Sequence, residues 1–267
     1  MKGFFALCFI IATAVLAEAY YPEAPLRAGL RRRPKVVGGT EAVPHSVPYQ
    51  LGLLLNGSFC GGSLITKRFV LTAAHCGVVT KHPVVVMGAH KITEKEPNQV
   101  AMTGKNVVVH KQYSPNTLRN DIALVELPED APLSQYVQLV KLAAVDAGLF
   151  VGETARVSGW GRAYDSSTTI SPVLRVVESN ILTNEECRKR FGFAVFKSVI
   201  CLDGSQKKSS CNGDSGGPLV VKTEEGEVQV GVVSYGSSAG CEKGFPAGFS
   251  RVTSFVDWVK DNSDYTD

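Results

Sequence analysis

The sequence predicts an all-β domain, a sandwich or a barrel, with a short helix at its carboxy end. Three observations carry this. Short β-branched or apolar runs recur at residues 50–55, 69–71, 84–87, 107–109, 122–127, 173–177 and 228–233. Clusters of Gly, Pro, Asn and Ser separate them, as turns between strands require. Helical spacing is confined to two places. One is a capping-box pattern, Thr183 with Glu186, ahead of residues 187–190. The other begins at Ser254, with Phe255, Trp258 and Val259 at i, i+3, i+4 spacing.

The chain has 267 residues, enough for two modest domains or one large all-β domain. Its 44% hydrophobic and 20% charged content is that of a globular protein, which excludes disordered and low-complexity classes.

The amino-terminal segment reads as a leader. Lys2 precedes an apolar run over residues 4–16, with small residues at Ala17 and Ala19. This pattern predicts a signal peptide over residues 1–17, with cleavage after Ala19 as the alternative. Spanning a bilayer needs roughly 20 apolar residues, so neither this run nor any later one predicts a membrane anchor. Residues 18–35 lack an apolar pattern and end in Arg31-Arg32-Arg33-Pro34-Lys35. The composition then changes abruptly at Val36-Val37-Gly38-Gly39. An exposed basic run directly before a fold is a site for proteolytic nicking, so residues 18–35 are expected to be a pro-segment and 36–267 the folded domain.

Charge and cysteine content narrow the class further. The formal net charge is +3, but residues 1–35 hold six Lys/Arg and two acids, leaving 22 basic against 23 acidic residues, or −1, in the remainder. Nucleic acid and anionic membranes are therefore not expected as partners. Of seven cysteines, Cys8 lies in the leader; Cys60, Cys76, Cys187, Cys201, Cys211 and Cys241 remain. In an exported protein this even number predicts three disulfides, with about 15 pairings open. No Cys-x-x-Cys pair supports a metal centre, and no metal or other cofactor is expected.

The chemistry concentrates on one serine. Ser215 lies in Gly213-Asp214-Ser215-Gly216-Gly217, a turn whose glycines permit unusual dihedrals and close approach of a ligand. A hydroxyl needs a base to act as a nucleophile. Among His45, His75, His82, His90 and His110, the candidate is His75, which follows an apolar run and adjoins Cys76. A Cys60–Cys76 bridge would fix its backbone. The base needs an orienting acid, and Asp121 opens the apolar run 122–127 and so points inward. A buried carboxylate is costly unless paired, and an imidazole N–H is a fitting partner.

These segments carry a resemblance. Val36-Val37-Gly38-Gly39, Leu71-Thr72-Ala73-Ala74-His75-Cys76, Asn120-Asp121-Ile122-Ala123-Leu124 and Gly213-Asp214-Ser215-Gly216-Gly217-Pro218 resemble the chymotrypsin-like serine protease family, in its order His, Asp, Ser. The likeness covers residues 36–267 and is nearest to chymotrypsin-like or collagenolytic digestive enzymes of invertebrates. It implies two antiparallel six-stranded β-barrels with the active site between them. It implies that His75, Asp121 and Ser215 are catalytic and that the N–H groups of Gly213 and Ser215 form the oxyanion hole. It implies the pairings Cys60–Cys76, Cys187–Cys201 and Cys211–Cys241. It also implies activation by a cut between Lys35 and Val36, after which the new ammonium of Val36 draws Asp214 inward. Pro34 disfavours a cut after Arg33, so the activator is expected to be a protease of tryptic specificity.

The resemblance places the substrate pocket on Ser209, Ser234, Tyr235, Gly236 and Ala247. Ser209 stands at the pocket floor, where an Asp would select Arg or Lys. Gly236 leaves the wall open and Ala247 narrows the base slightly. Large apolar or aromatic residues before the cut bond are expected, with an elastase-like taste for small residues as the alternative. A silent homologue acting by binding is the rival class. Tyr235 stands where the family commonly has Trp, and Ala89 where calcium-binding members carry a carboxylate. Protein or peptide substrates, protein inhibitors, a monomeric state and extracellular, digestive work complete the expectation. Asn56-Gly57-Ser58 is a glycosylation sequon in a hairpin turn.

Overall fold

A computed structural model describes residues 38–267. The expected signal peptide, the pro-segment and the Lys35–Val36 bond lie outside the described residues.

The first half contributes β1 (Thr40–Glu41), β2 (Gln50–Leu55), β3 (Ser58–Leu64), β4 (Phe69–Thr72), α1 (Ala74–Gly77), β5 (Val84–Met87), β6 (Val100–Thr103), β7 (Asn106–Val109) and β8 (Ala123–Glu126). After β9 (Lys141–Leu142), the second half contributes β10 (Thr154–Gly159), β11 (Arg175–Leu182), α2 (Asn184–Phe191), β12 (Val199–Leu202), β13 (Pro218–Thr223), β14 (Gly226–Tyr235), β15 (Ala247–Arg251) and α3 (Val256–Asn262).

The protein is mostly β. In the second half, β11-β10-β13-β14-β15-β12 run as antiparallel neighbours, and β11 also pairs with β12, closing a six-stranded barrel. β1 adds to β11, and β9 adds parallel to β14. The first half curls as a seven-stranded sheet in the order β6-β5-β2-β3-β4-β8-β7. Its end strands β6 and β7 are neighbours in the chain, one pairing with β5 and the other with β8. At the bend between them, Gly104 donates its N–H to Pro83 O at 2.8 Å and Lys105 donates to Glu126 O at 2.8 Å. Six strands are reached here only if β6 and β7 count as one bent strand.

Two cores fill these units. The larger includes Leu51, Leu53, Val70, Leu71, Val85 and Leu124, and also Val256 and Val259 of α3. The other lies inside the closed barrel, with Val157, Ile200, Leu219 and Phe249. The carboxy-terminal helix thus packs on the larger core, the one around the first sheet, and Leu142 donates its N–H to Tyr265 Oη at 3.0 Å beside it. A buried polar layer joins the sheets: Ser158 Oγ donates to Gln50 Oε1 at 2.6 Å and Ser63 Oγ to Gln229 Oε1 at 2.7 Å. A buried amide or hydroxyl without a partner costs about 1–3 kcal/mol, so these pairs fix how the halves meet.

Local signals held unevenly. The capping box is formed, with Thr183 Oγ1 accepting from Glu186 N and a Glu186 carboxylate oxygen accepting from Thr183 N. Ser254 does not start a helix; it ends a 3₁₀ turn (Val252–Ser254), and α3 begins at Val256 without a side-chain cap. The reason lies in Phe255 and Val256, whose burial sets the entry of the helix in place of a hydroxyl. β3, of sequence SFCGGSL, carries no apolar run, yet it pairs on both sides, with β2 and β4. Three disulfides join Cys60 to Cys76, Cys187 to Cys201 and Cys211 to Cys241, as the resemblance implied. Their separations of 16, 14 and 30 residues correspond to about 3–4 kcal/mol each in the chain-entropy account.

Candidate active site

The ladder between β4 and β8 assembles the first pair. Its register sets Thr72 opposite Ala123. The chain leaves Thr72 into α1, which carries His75, and it enters β8 from Asp121. The two residues therefore meet at the same end of the ladder. His75 Nδ1 lies 2.8 Å from Asp121 Oδ2, and the His75 backbone N–H donates to Asp121 Oδ1 at 2.9 Å. Asp121 is fully buried, and the His75 side chain is 26% exposed. Asn120, just before it, takes a positive φ of 55°, which turns the chain sharply into the site.

The second sheet completes the grip on Asp121. Ser234 Oγ donates to Asp121 Oδ2 at 2.6 Å, and Ser250 Oγ donates to the Asp121 carbonyl at 2.6 Å. The register between β14 and β15 shifts between Val233 and Tyr235, a bulge that re-aims Ser234. With the His75 backbone N–H and the Ser234 hydroxyl both donating to its carboxylate, Asp121 offers His75 Nδ1 an acceptor. The His75 proton then sits on Nδ1, and Nε2 is left as a base.

Ser215 reaches this region through its backbone. Its carbonyl accepts from Gly61 N at 2.7 Å and lies 3.7 Å from Cys76 Sγ, beside His75. Gly216 N donates to Val233 O at 2.8 Å, and Val233 N donates to Gly217 O at 2.9 Å, tying the serine turn to β14. Gly213 has φ +99°, and a Cβ there would sit 2.8 Å from Ile170 Cγ2, so both the dihedral and the packing require glycine. That conformation turns the backbone ahead of Ser215, where the expected oxyanion donors lie.

Asp214 points away from this surface. It is fully buried, its Oδ1 accepting from Gly161 N at 2.7 Å and its Oδ2 from Cys211 N at 2.8 Å. A Cβ on Gly161 would fall 2.3 Å from the Asp214 carboxyl, so the absent side chain makes its seat. Burial pushes its pKa up to about 6, against the pull of its two N–H donors and Arg175. The sequence expectation turns Asp214 inward only after cleavage. In the structure it lies inside, held by the neutral N–H groups of Gly161 and Cys211, while Val36, its expected partner, lies outside the described residues.

A cavity of about 270 Å³ adjoins the serine, lined by Ser210, Asn212, Ser215, Ser234, Tyr235 and Gly236 among others. A Cβ on Gly236 would meet nothing within 4 Å, so this wall is open. Ser209 and Ala247, 4% and 1% exposed, are buried outside the lining. Tyr235 donates its hydroxyl to Ala194 O at 3.2 Å and meets the Phe191 ring edge-on, and burial pushes its pKa up to about 12. Gly248 provides room for that ring, since a Cβ there would lie 2.4 Å from Tyr235 Cζ. Gly248→Ala is accordingly expected to raise KM for peptide substrates about tenfold and to cost about 1–3 kcal/mol of stability. Adding Tyr235→Ala should recover part of the stability but not the KM, as steady-state kinetics and urea denaturation would show.

Sequence reasoning missed several of these groups. Ser210, Asn212, Ser237 and Ser238 line the cavity without an individual motif. Ser250 had one faint signal, a hydroxyl directly after the apolar run Ala247-Gly248-Phe249. Asp165, unremarked in sequence, accepts from Cys241 N at 2.7 Å and Glu242 N at 3.2 Å, clasping the far wall. Two clusters, Cys60-His75-Cys76 and Asp165-Cys211-Cys241, bring metal-binding atom types together, but in each the sulfurs are joined to one another as a disulfide. Glu96, near Ala89, accepts from the N–H groups of His90 and Lys91 at 2.5 and 2.8 Å.

Two antiparallel β units that bring a His–Asp pair and a serine turn together define the chymotrypsin-like class of serine endopeptidases. The chain belongs to the trypsin family, whose model, described as Trypsin, matches residues 36–259. It is 41% identical over 232 residues to Brachyurin of Leptuca pugilator, covering 86% of this chain and 100% of that one. It is 40% identical to Chymotrypsin of Phaedon cochleariae, covering 86% and 83%. A solved structure titled HL collagenase superposes with a TM-score of 0.78 at 35% identity, covering 87% of this chain and all of the other. The chain is thus a serine endopeptidase, a hydrolase with three disulfides.

Proposed function

We propose that the chain is a secreted endopeptidase zymogen, activated by a cut at Lys35–Val36, that cleaves after large apolar or aromatic residues. The observation that carries the catalytic part is the contact of His75 Nδ1 with the buried Asp121 at 2.8 Å. In this reading Nε2 of His75 takes the proton from Ser215, whose oxygen attacks the scissile carbonyl. The N–H groups of Gly213 and Ser215 receive the oxyanion, each such donor being worth about 3–4 kcal/mol in the transition state. His75 then passes its proton to the leaving amine, and water repeats the sequence on the acyl-enzyme.

The cavity supports the specificity. No residue lining it carries a charge. A substrate Lys or Arg would be desolvated there without a counter-ion, a costly burial. The name of the Phaedon relative, Chymotrypsin, agrees with an apolar choice. The leader supports export, and no helix among the described residues is long and apolar enough to cross a membrane. The partners in this reading are polypeptide substrates, an activating protease of tryptic specificity and protein inhibitors, and the enzyme works as a monomer.

The test is to treat the purified chain with a tryptic protease, label it with a fluorophosphonate and profile it on a peptide library. Labelling of Ser215 only after the cut, with cleavage after Phe, Leu, Tyr and Met, is expected. Cleavage after Ala and Val favours the elastase-like reading, and cleavage after Arg or Lys overturns the pocket assignment. An unlabelled cut chain indicates a silent homologue.

Activation also has a pH signature. The pKa of Asp214 is raised from 3.8 to about 6, so the folded uncut chain favours the protonated acid. Its contribution to stability is intact below pH 4 and is lost as pH rises through about 6, a cost of about 3 kcal/mol at neutrality. Pairing with the Val36 ammonium removes that cost. In a Ser215→Ala background, which prevents self-digestion, urea midpoints at pH 4 and 7 should fall for the uncut chain but not for the cut one. Equal pH dependence of the two forms would refute the pairing.

A further inference from the structure

A second cavity, of about 540 Å³, lies on the far side of the loop that carries Tyr235's hydrogen-bond partner. Its walls include Phe196, Phe255 and Trp258, and its rim includes His110, Arg119 and Lys197. The Arg119 guanidinium stands 5.3 Å above the Phe196 ring, an arrangement that holds the cation in place over the cavity. His110 packs against Phe255 and Trp258 at 5.7 and 5.3 Å between ring centres. Its Nδ1 accepts from Gln112 N at 3.2 Å, which leaves Nε2 to donate when the ring is neutral. No carboxylate lines the cavity, and among the described residues none pairs with Arg119 or Lys197. The site therefore offers two free cations and a hydrogen-bond donor above an aromatic floor.

One stretch of chain, residues 191–197, borders both this cavity and the Tyr235 wall of the substrate cavity. Phe191 packs on Tyr235, Ala194 accepts the Tyr235 hydroxyl, and Phe196 lies under Arg119. Phe193, fully exposed, stands on the same stretch. One short segment thus connects the wall of the substrate cavity to the basic cavity. From the other side, Arg119 is two residues from Asp121. A polypeptide lying in the cleft and continuing along this segment arrives at Arg119 and Lys197.

We infer that this cavity is an accessory substrate site that takes an acidic segment of the polypeptide, with its apolar neighbours, a few residues away from the scissile bond. The inference rests on the endopeptidase reading and adds a preference that short substrates do not reveal. The carboxylates pair with Arg119 and Lys197, and aliphatic or aromatic side chains cover Phe196 and Trp258. Such an arrangement selects acidic protein substrates by binding, so it acts on KM.

The test compares one short peptide amide with the same peptide extended, on either side, by four Glu, four Ser or four Lys through Gly-Ser spacers of graded length. At low salt a Glu extension at one end is expected to raise kcat/KM about fivefold through KM, the gain of two partly screened ion pairs, and 0.5 M salt should abolish it. Arg119→Glu with Lys197→Glu should remove the gain and favour the Lys extension instead. Both side chains are exposed, so hydrolysis of the short peptide should be unchanged, which checks the fold. Equal kcat/KM for all extensions overturns the inference, as does a gain that survives the double variant. So does a cavity that binds a sulfated polysaccharide while ignoring the Glu extension. Failure of the short peptide to be cut by the unaltered enzyme bears instead on the endopeptidase reading.

Discussion

Ser215→Ala in the cut chain is expected to lower kcat by about 10⁶-fold while leaving substrate binding and the denaturation midpoint close to unchanged. The methyl fits where the hydroxymethyl stood, and the tethers of residue 215 run through its backbone, to Gly61 N at 2.7 Å. The fold therefore does not depend on the hydroxyl. A residual acceleration of about 10³–10⁴ over water should persist from oxyanion donors and binding alone. His75→Ala should fall nearly as far, and the double variant no further, because the two groups act as one unit. Single-turnover kinetics would measure this. A Ser215→Ala enzyme within tenfold of the parent would remove Ser215 from the chemistry.

Asp121→Asn is expected to lower kcat by about 10⁴-fold, the size known for this substitution in the family's triad. The geometry explains why neither amide orientation is tolerated. With its nitrogen in the Oδ1 place, the amide faces the His75 backbone N–H now at 2.9 Å. With its nitrogen in the Oδ2 place, it faces both His75 Nδ1 and the Ser234 hydroxyl, now at 2.8 and 2.6 Å. The first sets donor against donor. The second forces the imidazole into the tautomer whose Nε2 bears the proton and cannot act as a base. KM should change little, since Asp121 does not line the substrate cavity.

What the sequence revealed depended on whether the signal was local. His75, Asp121 and Ser215 stood in distinctive segments, and the apolar runs marked β2, β5 and β8 within a residue or two. β3 was hidden because its stability comes from pairing with two neighbours, so Gly and Ser suffice along it. Ser250 and Asp165 were hidden for a related reason. Each works on a backbone group far away in the chain, Asp121 O for one and Cys241 N for the other. The lining of the basic cavity likewise joins residues 110, 119, 197 and 258, which only the folded chain brings near. The closure of the second barrel follows from β11 meeting β12, a contact that no strand pattern specifies.

Asp121 comes from the first sheet, while the hydroxyls of Ser234 and Ser250 that hold it come from the second. The first half pairs His75 with Asp121, but without the second half that carboxylate lacks its Ser234 donor and its backbone lacks the Ser250 tether. Hydrolysis is consequently a readout of mating between the two halves, distinct from the formation of either core. In a refolding experiment on the cut chain, enzymatic turnover should return after tryptophan fluorescence and β-sheet circular dichroism have recovered. The interval between those signals would time the docking step itself.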